Sequence, residues 1–178
     1  MNLPSVTQVL TPWADFSHVN PDVLAHAAAR GTEVHRACAA MAQGLWVAPV
    51  TEEAIGYIAS FQAWSRAVVQ DVLLVEAELA DKALGFRGHP DLICRIWGDS
   101  GLTLVDLKTP ASRSPLWRVQ LAAYKRLAIV NYFNVRRVMS LRLKRDGSRP
   151  IVDEYTDSAA DLAGFVHALN AHRYFSKP

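Results

Sequence analysis

The chain has 178 residues, of which 51% are hydrophobic and 20% are charged, and its formal net charge is +2. This length and composition predict one domain over residues 1–178 and leave little room for a second. No apolar run is long enough to cross a bilayer, and the N-terminal residues lack the basic start and apolar stretch of a secretion signal, so we expect a cytoplasmic protein without a membrane partner.

The first 70 residues are predicted to form a mainly helical layer. Pro4 and Pro12 interrupt any periodicity near the N-terminus, which predicts an irregular lead-in. Asn20-Pro21 is typical of an N-cap followed by the first helical position, so a helix is expected from there. Gly31 predicts a break in that helix, with a second helix over about residues 32–43.

A third helix is predicted to begin at Thr51 and to end near Gln70. Two acidic residues follow Thr51 directly, an order that the helix dipole favours. Tyr57, Phe61 and Trp64 recur at helical spacing, so we expect them to pack in the core rather than to stack on bases.

Three strands are expected next, in the segments VLLVEAEL, HPDLICRIW and LTLVDLK, with a hairpin turn at residues 98–101 between the second and third. A helix begins near Ser114-Pro115, and two further strands, VRRVMSLRLK and PIVDEYT, form a hairpin across Asp146-Gly147. Ser158 and Asp161 resemble a capping box that opens a last helix.

This order predicts an α+β fold. Its centre is a mixed sheet of four to five strands, flanked by helices and including a crossover helix, over residues 71–156. The helical layer covers residues 1–70, and the C-terminal helix falls within residues 157–178.

Four charged residues lie within strands that ought to be buried, namely Glu76, Asp91, Asp106 and Lys108. An isolated buried carboxylate costs several kcal/mol, so buried acids are normally paired or bound to a metal ion. Asp106 and Lys108 share a face of one strand, and Gly88 permits a close backbone approach beside Asp91. Any one acid alone could instead face solvent or form a salt bridge. The set predicts a Mg²⁺ or Mn²⁺ site with a lysine beside it.

Three further residues have two interpretations each. His35 lies on an apolar helix face, where it is either a hydrogen-bonded core residue or a ligand. Gln120 and Tyr124 share a helix face. They either point toward the acids, where they would position a phosphate or the loop after Lys108, or have no role at the site. In the second case Gln120 lies at the helix surface and Tyr124 is half in the core.

The ordered set of motifs resembles the PD-(D/E)XK nuclease superfamily, and within it the RecB-like exonucleases of phage, prophage or recombination systems. The likeness covers about residues 30–126. It consists of G-x-x-x-H ending at His35, VE ending at Glu76, GHPD ending at Asp91, the acid-x-lysine element Asp106-Leu107-Lys108, and Q-x-x-x-Y from Gln120 to Tyr124. The sequence departs from some relatives at His89-Pro90, which leaves the acid in place.

The resemblance implies a role for each matched residue. Glu76, Asp91, Asp106 and the Leu107 carbonyl would bind one or two Mg²⁺ or Mn²⁺ ions, with His35 helping at the second. Lys108 would orient or deprotonate the attacking water or offset charge on the phosphate. Glu78 is a rival for Glu76, but Glu76 lies 15 residues before Asp91, a separation similar to that in RecB-like exonucleases.

The implied activity is that of a metal-dependent DNA exonuclease in recombination, repair or phage DNA processing. Its partners would be single- or double-stranded DNA ends and a helicase or a single-strand annealing protein, and an oligomer could encircle DNA.

Cys38 and Cys94 are expected as buried, reduced thiols, too few for the four-cysteine iron–sulfur cluster of some relatives. No nucleotide-binding loop is present. The alternatives are a catalytically silent DNA-binding accessory subunit on the same scaffold, a structure-specific endonuclease, or an RNase.

The net charge alone does not indicate a nucleic-acid-binding protein, but basic residues cluster locally. The segment KRDGSR is either part of a phosphate-binding surface or a solvated hairpin tip. The candidate DNA-binding residues are Arg113, Arg118, Lys125, Arg136, Arg142 and Lys144.

Overall fold

A mixed five-stranded sheet forms the centre of the computed structural model, which describes residues 3–176. With helices on both faces of this sheet, the predicted α+β class is confirmed. The strands are β1 (Val69–Val75), β2 (Leu79–Asp81), β3 (Phe86–Gly88), β4 (Leu92–Ile96), β5 (Leu102–Lys108), β6 (Val135–Arg142) and β7 (Ile151–Glu154).

The sheet has the order β1-β4-β5-β6-β7, and β2 pairs with β3 in a separate hairpin. Only β5 and β6 are parallel, and the helix between them provides the crossover that parallel strands require. The helices are α1 (Val6–Leu10), α2 (Pro21–Ala42), α3 (Glu52–Val68), α4 (Leu116–Val130) and α5 (Ser158–Phe175).

Apolar side chains cover both faces of the sheet. On one face α1, α4, α5 and the β2–β3 hairpin pack around Phe86, Ile93, Leu104 and Phe165. On the other face α2 and α3 pack against alternate strand residues such as Cys94 and Val105. Because side chains alternate along a strand, the two cores share the same strands, and the sheet is fixed from both sides.

The aromatic residues of α3 are buried as predicted, with Tyr57, Phe61 and Trp64 all in the core. Cys38 and Cys94 are also buried, and both are free thiols. Within residues 3–176, no helix combines the length and the apolar character needed to cross a bilayer.

The prediction of an irregular N-terminal lead-in is wrong. Ser5 forms a capping box with Gln8 and starts α1, and a 3-10 turn follows at Thr11–Trp13. Val6 and Val9 are fully buried in the core beside α4. Pro12 lies inside the 3-10 turn, where its missing N–H costs little, so this proline is part of an element and does not mark an irregular segment.

The predicted break at Gly31 is also wrong, because α2 is one helix of 22 residues. A Cβ atom at Gly31 would lie 3.6 Å from Thr109 Oγ1, an ordinary contact distance. Gly31 therefore lies where α2 passes the end of β5, and it does not interrupt the helix.

Two further details differ from the predictions. The segment VLLVEAEL is not one strand, because β1 ends at Val75 and the chain turns at Glu76, whose φ is +49°. The last helix is capped by Asp157, which accepts from Ala160 N, whereas Asp161 is buried and pairs with Arg118.

The tip of the β6–β7 hairpin rests against α3. Lys144 N donates to Ser60 Oγ at 3.1 Å, and Gly56 lies directly beneath the Arg145 carbonyl. Arg145 and Arg149 remain exposed at this tip. The segment is thus anchored through its backbone while some of its cationic side chains face solvent.

Candidate metal centre

Three strand ends bring the predicted acids together. Val75 pairs with Leu92, and Leu92 pairs with Val105. Both pairings are antiparallel, so the end of β1, the start of β4 and the end of β5 lie at one edge of the sheet. Glu76 follows β1, Asp91 precedes β4 and Asp106 lies near the end of β5, which explains how residues far apart in sequence become neighbours.

His35, Glu76 and Asp91 form a group of potential metal ligands. One ligand atom from each residue lies within 4.8 Å of the others. His35 Nδ1 is 3.3 Å from Asp91 Oδ1 and 3.9 Å from Glu76 Oε1. Among the residues that the structure describes, this is the one group of three or more such side chains.

Asp91 is the most firmly held of these acids. Its Oδ2 accepts from Leu107 N at 2.6 Å, and its carbonyl accepts from Glu76 N at 3.1 Å. Because the N–H and C=O of a strand residue point to the same side, the Leu107 carbonyl is also directed toward Asp91. Oδ1 of Asp91 is left to face His35.

Asp106 and Lys108 form an adjacent pair on the α4 side of β5. Lys108 Nζ lies 2.5 Å from Asp106 Oδ2, yet Oδ2 is buried and has no hydrogen bond of acceptable geometry within residues 3–176. Asp106 is not a member of the three-ligand group. Its inclusion among the metal ligands therefore stays a prediction.

Lys108 is positioned by α4. Its ammonium donates to Gln120 Oε1 at 2.8 Å and lies 5.5 Å from the centre of the Trp117 ring. Gln120 in turn donates to Tyr124 Oη at 3.3 Å. Gln120 points toward the acids through Lys108, and Tyr124 is buried in the core with its hydroxyl at Gln120. Their role in positioning a phosphate stays a prediction.

Burial and mutual repulsion act on the ionisable groups of the cluster. Burial and the Asp91 charge raise the pKa of Glu76 to about 7. Burial also raises the pKa of Asp106, against the opposing effect of Lys108. For His35, burial lowers the pKa, but the charge and hydrogen bond of Asp91 outweigh this and raise it to about 9. These shifts show a cluster with an excess of negative charge.

The residues present fit a divalent cation. When all five groups are charged, three carboxylates face one lysine and one histidine, which leaves one negative charge unbalanced; the raised pKa values of Glu76 and Asp106 reflect this repulsion together with burial. Asp106 Oδ2 is buried, and among the described residues its charged partner is Lys108 Nζ, 2.5 Å away. Carboxylate oxygens with one imidazole suit Mg²⁺ or Mn²⁺, the nitrogen favouring Mn²⁺.

The cluster lies at the floor of an open cleft of about 820 Å³. One face of α2 forms a wall, and α4 forms the opposite wall together with Thr7 of α1. Sequence reasoning missed Thr7, Arg36 and Leu45, which also line this cleft. Arg36 lies four residues after Thr32 of the G-x-x-x-H segment, so the spacing of one helix face could have indicated it, whereas Thr7 lies in the segment predicted to be irregular.

Glu78, the rival acid, lies outside the cluster. It pairs with Arg87, and its Oε2 is 3.6 Å from His89 Nε2. Its side chain is 49% exposed. In this structure Glu76 occupies the position beside Asp91 and His35.

The predicted DNA-binding residues are mostly engaged within the protein, and none of the six lines the cleft. Arg113 and Arg142 both pair with Asp153, and Arg118 pairs with Asp161. Lys125 Nζ donates to Ser158 Oγ, while Arg136 packs over Gly101 at the opposite end of β5. Lys144 lies in the hairpin tip on α3.

Comparisons with known proteins give only distant likenesses. No family model matches the chain, and no curated protein matches its sequence significantly. Among solved structures, the chain is similar to SSO0001, with 17% identity, 82% of this chain and 75% of that chain covered, and a TM-score of 0.42. It is also similar to a candidate exonuclease from Eubacterium rectale, with 8% identity, coverages of 75% and 69%, and a TM-score of 0.36. At these scores neither likeness bears on the function of this chain.

Proposed function

We propose that this protein is a metal-dependent nuclease that hydrolyses phosphodiester bonds in DNA, and that it acts as an exonuclease. The observation that carries the proposal is the convergence of His35, Glu76 and Asp91 beside the Asp106–Lys108 pair in one open cleft. Removing several carboxylates from water is costly, and a divalent cation is the ligand that three acids and a histidine suit. The motif order that resembles RecB-like exonucleases supports the same assignment.

Each residue has a distinct role in this proposal. His35, Glu76 and Asp91 would hold a Mg²⁺ or Mn²⁺ ion, which supplies Lewis-acid activation of the phosphodiester and of the attacking water. Lys108, oriented by Gln120, offsets negative charge on the phosphate oxygens and orients the nucleophile. Asp106 holds Lys108 at the floor of the cleft. It is the carboxylate of the cleft that lies outside the three-ligand group.

The test is to incubate the purified chain with end-labelled linear, circular and single-stranded DNA, with Mg²⁺, Mn²⁺ or a chelator. We expect progressive loss of nucleotides from linear substrates with metal, and none with chelator or on circular DNA. Asp106→Ala and Lys108→Ala should each abolish hydrolysis while the far-ultraviolet circular dichroism spectrum stays unchanged.

A matched control for the loss of an acid is Asp71→Asn. Asp71 is an exposed carboxylate on β1 that pairs with Arg95, away from the cleft. This variant should cleave as fast as the wild type. Activity near the wild-type level in Asp106→Ala or Lys108→Ala, or metal-independent binding of DNA without cleavage, would contradict the proposal, and the latter result would favour a silent accessory subunit.

A further inference from the structure

The walls of the cleft carry little positive charge. Of the described residues that line it, Arg36 and Lys108 are the only lysine or arginine side chains, and Lys108 is already paired with Asp106. Proteins that bind a duplex through its backbone commonly make about six to ten phosphate contacts with Lys and Arg. A cleft with two cations is therefore poorly suited to hold a duplex by its phosphates.

Asp91, Asp106 and Lys108 lie deep in the cleft, whereas the side chain of Glu76 is 39% exposed. The side chains of Asp91 and Asp106 are 10% and 3% exposed, and that of Lys108 is 14% exposed. The α2 wall from Ala28 to Gln43 is about 22 Å long at 1.5 Å per residue. The phosphate to be cleaved must therefore enter the cleft between α2 and α4. A flexible single DNA strand can do this more readily than a base-paired strand.

One end of the cleft is apolar and exposed. Leu45 lines the cleft and is 59% exposed, and Trp46, the next residue, is 78% exposed. The end of α2 fixes their backbone, since Leu45 N donates to Ala40 O at 2.9 Å and Gly44 has φ +68°. Adjoining exposed apolar side chains beside a cleft are a feature of ligand-binding surfaces, whereas single ones are ordinary.

We propose that the substrate is a single DNA strand or an unpaired DNA end, with Leu45 and Trp46 contacting its bases at the mouth of the cleft. Single-strand binding combines backbone contacts to a basic groove with bases that stack on aromatic side chains, and Trp46 offers such a side chain beside the cleft. The bases of a paired end are not free to stack in this way. The inference rests on the proposed nuclease function and specifies its substrate.

The first experiment compares one labelled strand in three forms with Mn²⁺ present. These are the strand alone, a blunt duplex, and a duplex with an unpaired end. We expect the single strand and the unpaired end to be degraded at least tenfold faster than the blunt duplex. Equal or faster degradation of the blunt duplex would overturn the inference while leaving the nuclease function in place.

The second experiment measures the role of Trp46 directly. Stacking on one aromatic residue corresponds to roughly a fivefold to 140-fold change in affinity. Trp46→Ala should therefore raise KM for the single strand about tenfold, with kcat within twofold of the wild type, and Trp46→Phe should restore most of the loss. Fluorescence anisotropy of a labelled oligothymidylate, with chelator present, should show the weakest binding for Trp46→Ala and binding close to that of the wild type for Trp46→Phe.

Trp97 provides the matched control. It is 66% exposed and lies in the turn between β4 and β5, at the opposite end of the sheet from the acids. Trp97→Ala should leave KM and oligothymidylate affinity unchanged. If Trp46→Ala binds the strand as tightly as the wild type, the inference is wrong. If no DNA is cleaved, the nuclease function fails, and the anisotropy measurement still decides whether a strand binds at Trp46.

Discussion

At the scale of single residues, Asp91 connects three parts of the chain. Its two carboxylate oxygens contact the Leu107 amide and His35, and its carbonyl receives the Glu76 amide. The acid is thus both a structural link and a candidate ligand. The bond from Leu107 N fixes one carboxylate oxygen of Asp91 and leaves the other directed at His35.

Gly88 is a second residue on which the cleft depends. A Cβ atom there would lie 2.7 Å from Tyr124 Cε1 and 3.1 Å from Leu127 Cδ1. Gly88→Ala should therefore displace Tyr124, break its hydrogen bond with Gln120 and loosen Lys108. We expect a loss of about 1 to 3 kcal/mol in the free energy of unfolding, measured with denaturant, and at least a tenfold fall in cleavage rate.

Gly101→Ala tests whether the loss of stability in Gly88→Ala arises because the neighbouring Tyr124 ring is buried and cannot move away. A Cβ atom at Gly101 would also lie 2.7 Å from another atom, Cδ of Arg136, but that side chain is exposed and flexible. The free energy of unfolding should change by less than about 0.5 kcal/mol. Equal losses in the two variants would mean that the Tyr124 contact is not the cause.

At the scale of elements, the packing of helices against loops decides where a glycine is required. Gly56 of α3 lies under the hairpin tip, where a Cβ atom would be 1.6 Å from the Arg145 carbonyl oxygen. Gly164 of α5 is exposed, and its Cβ atom would meet only Val119 Cγ2, at 3.9 Å. The two glycines share a helical setting and differ in their surroundings.

The same substitution should therefore have opposite effects at these two positions. Gly56→Ala should lower the free energy of unfolding by about 3 kcal/mol or more, because backbone atoms would have to move and the bond from Lys144 N to Ser60 Oγ would be lost. Gly164→Ala should raise it by about 0.5 to 1 kcal/mol, because alanine favours the helix. Denaturant unfolding of both variants measures the difference, and a stabilised Gly56→Ala would contradict the packing described here.

Elements with a strong local pattern could be predicted from the sequence, and those that depend on distant contacts could not. The strands around Asp106, the hairpin at Asp146-Gly147 and the core face of α3 were all predicted, because alternation, turn residues and helical spacing are local signals. The short helix α1 was missed, since five residues are stable as a helix only when packed, here on α4.

The candidate site follows the same rule. Its acids and lysine were found because charge inside apolar strands is visible in the sequence. That Lys108 contacts Gln120 and that Asp106 lies outside the three-ligand group depend on side-chain geometry, which no spacing reveals. Leu45 was missed for a related reason, because an exposed leucine is ordinary until its place in the cleft is known.

At the scale of the whole molecule, the cluster lies between the two cores that stabilise the sheet. Both faces of the sheet are packed with apolar side chains. The acids lie where the end of β1, the start of β4 and the end of β5 meet, and they repel one another. Such clusters are tolerated in natural proteins where function requires them, at some loss of stability. A ligand that removes this repulsion should therefore stabilise the entire fold, because the acids connect three strands of the sheet.

Mn²⁺ should for this reason raise the thermal unfolding midpoint. A ligand at 100 times its Kd stabilises a folded protein by about 2.7 kcal/mol, or roughly 5 to 10 °C for a chain of this size. Asp91→Asn should abolish the shift, since it removes a charged ligand but keeps an acceptor for Leu107 N. Asp153→Asn is the control, because Asp153 is equally buried, at 9% exposure, but pairs with Arg142 outside the cluster. This variant should melt at a lower temperature and still gain the full shift with Mn²⁺, measured by differential scanning fluorimetry against a chelator baseline. A shift that survives in Asp91→Asn and is lost in Asp153→Asn would place the metal elsewhere.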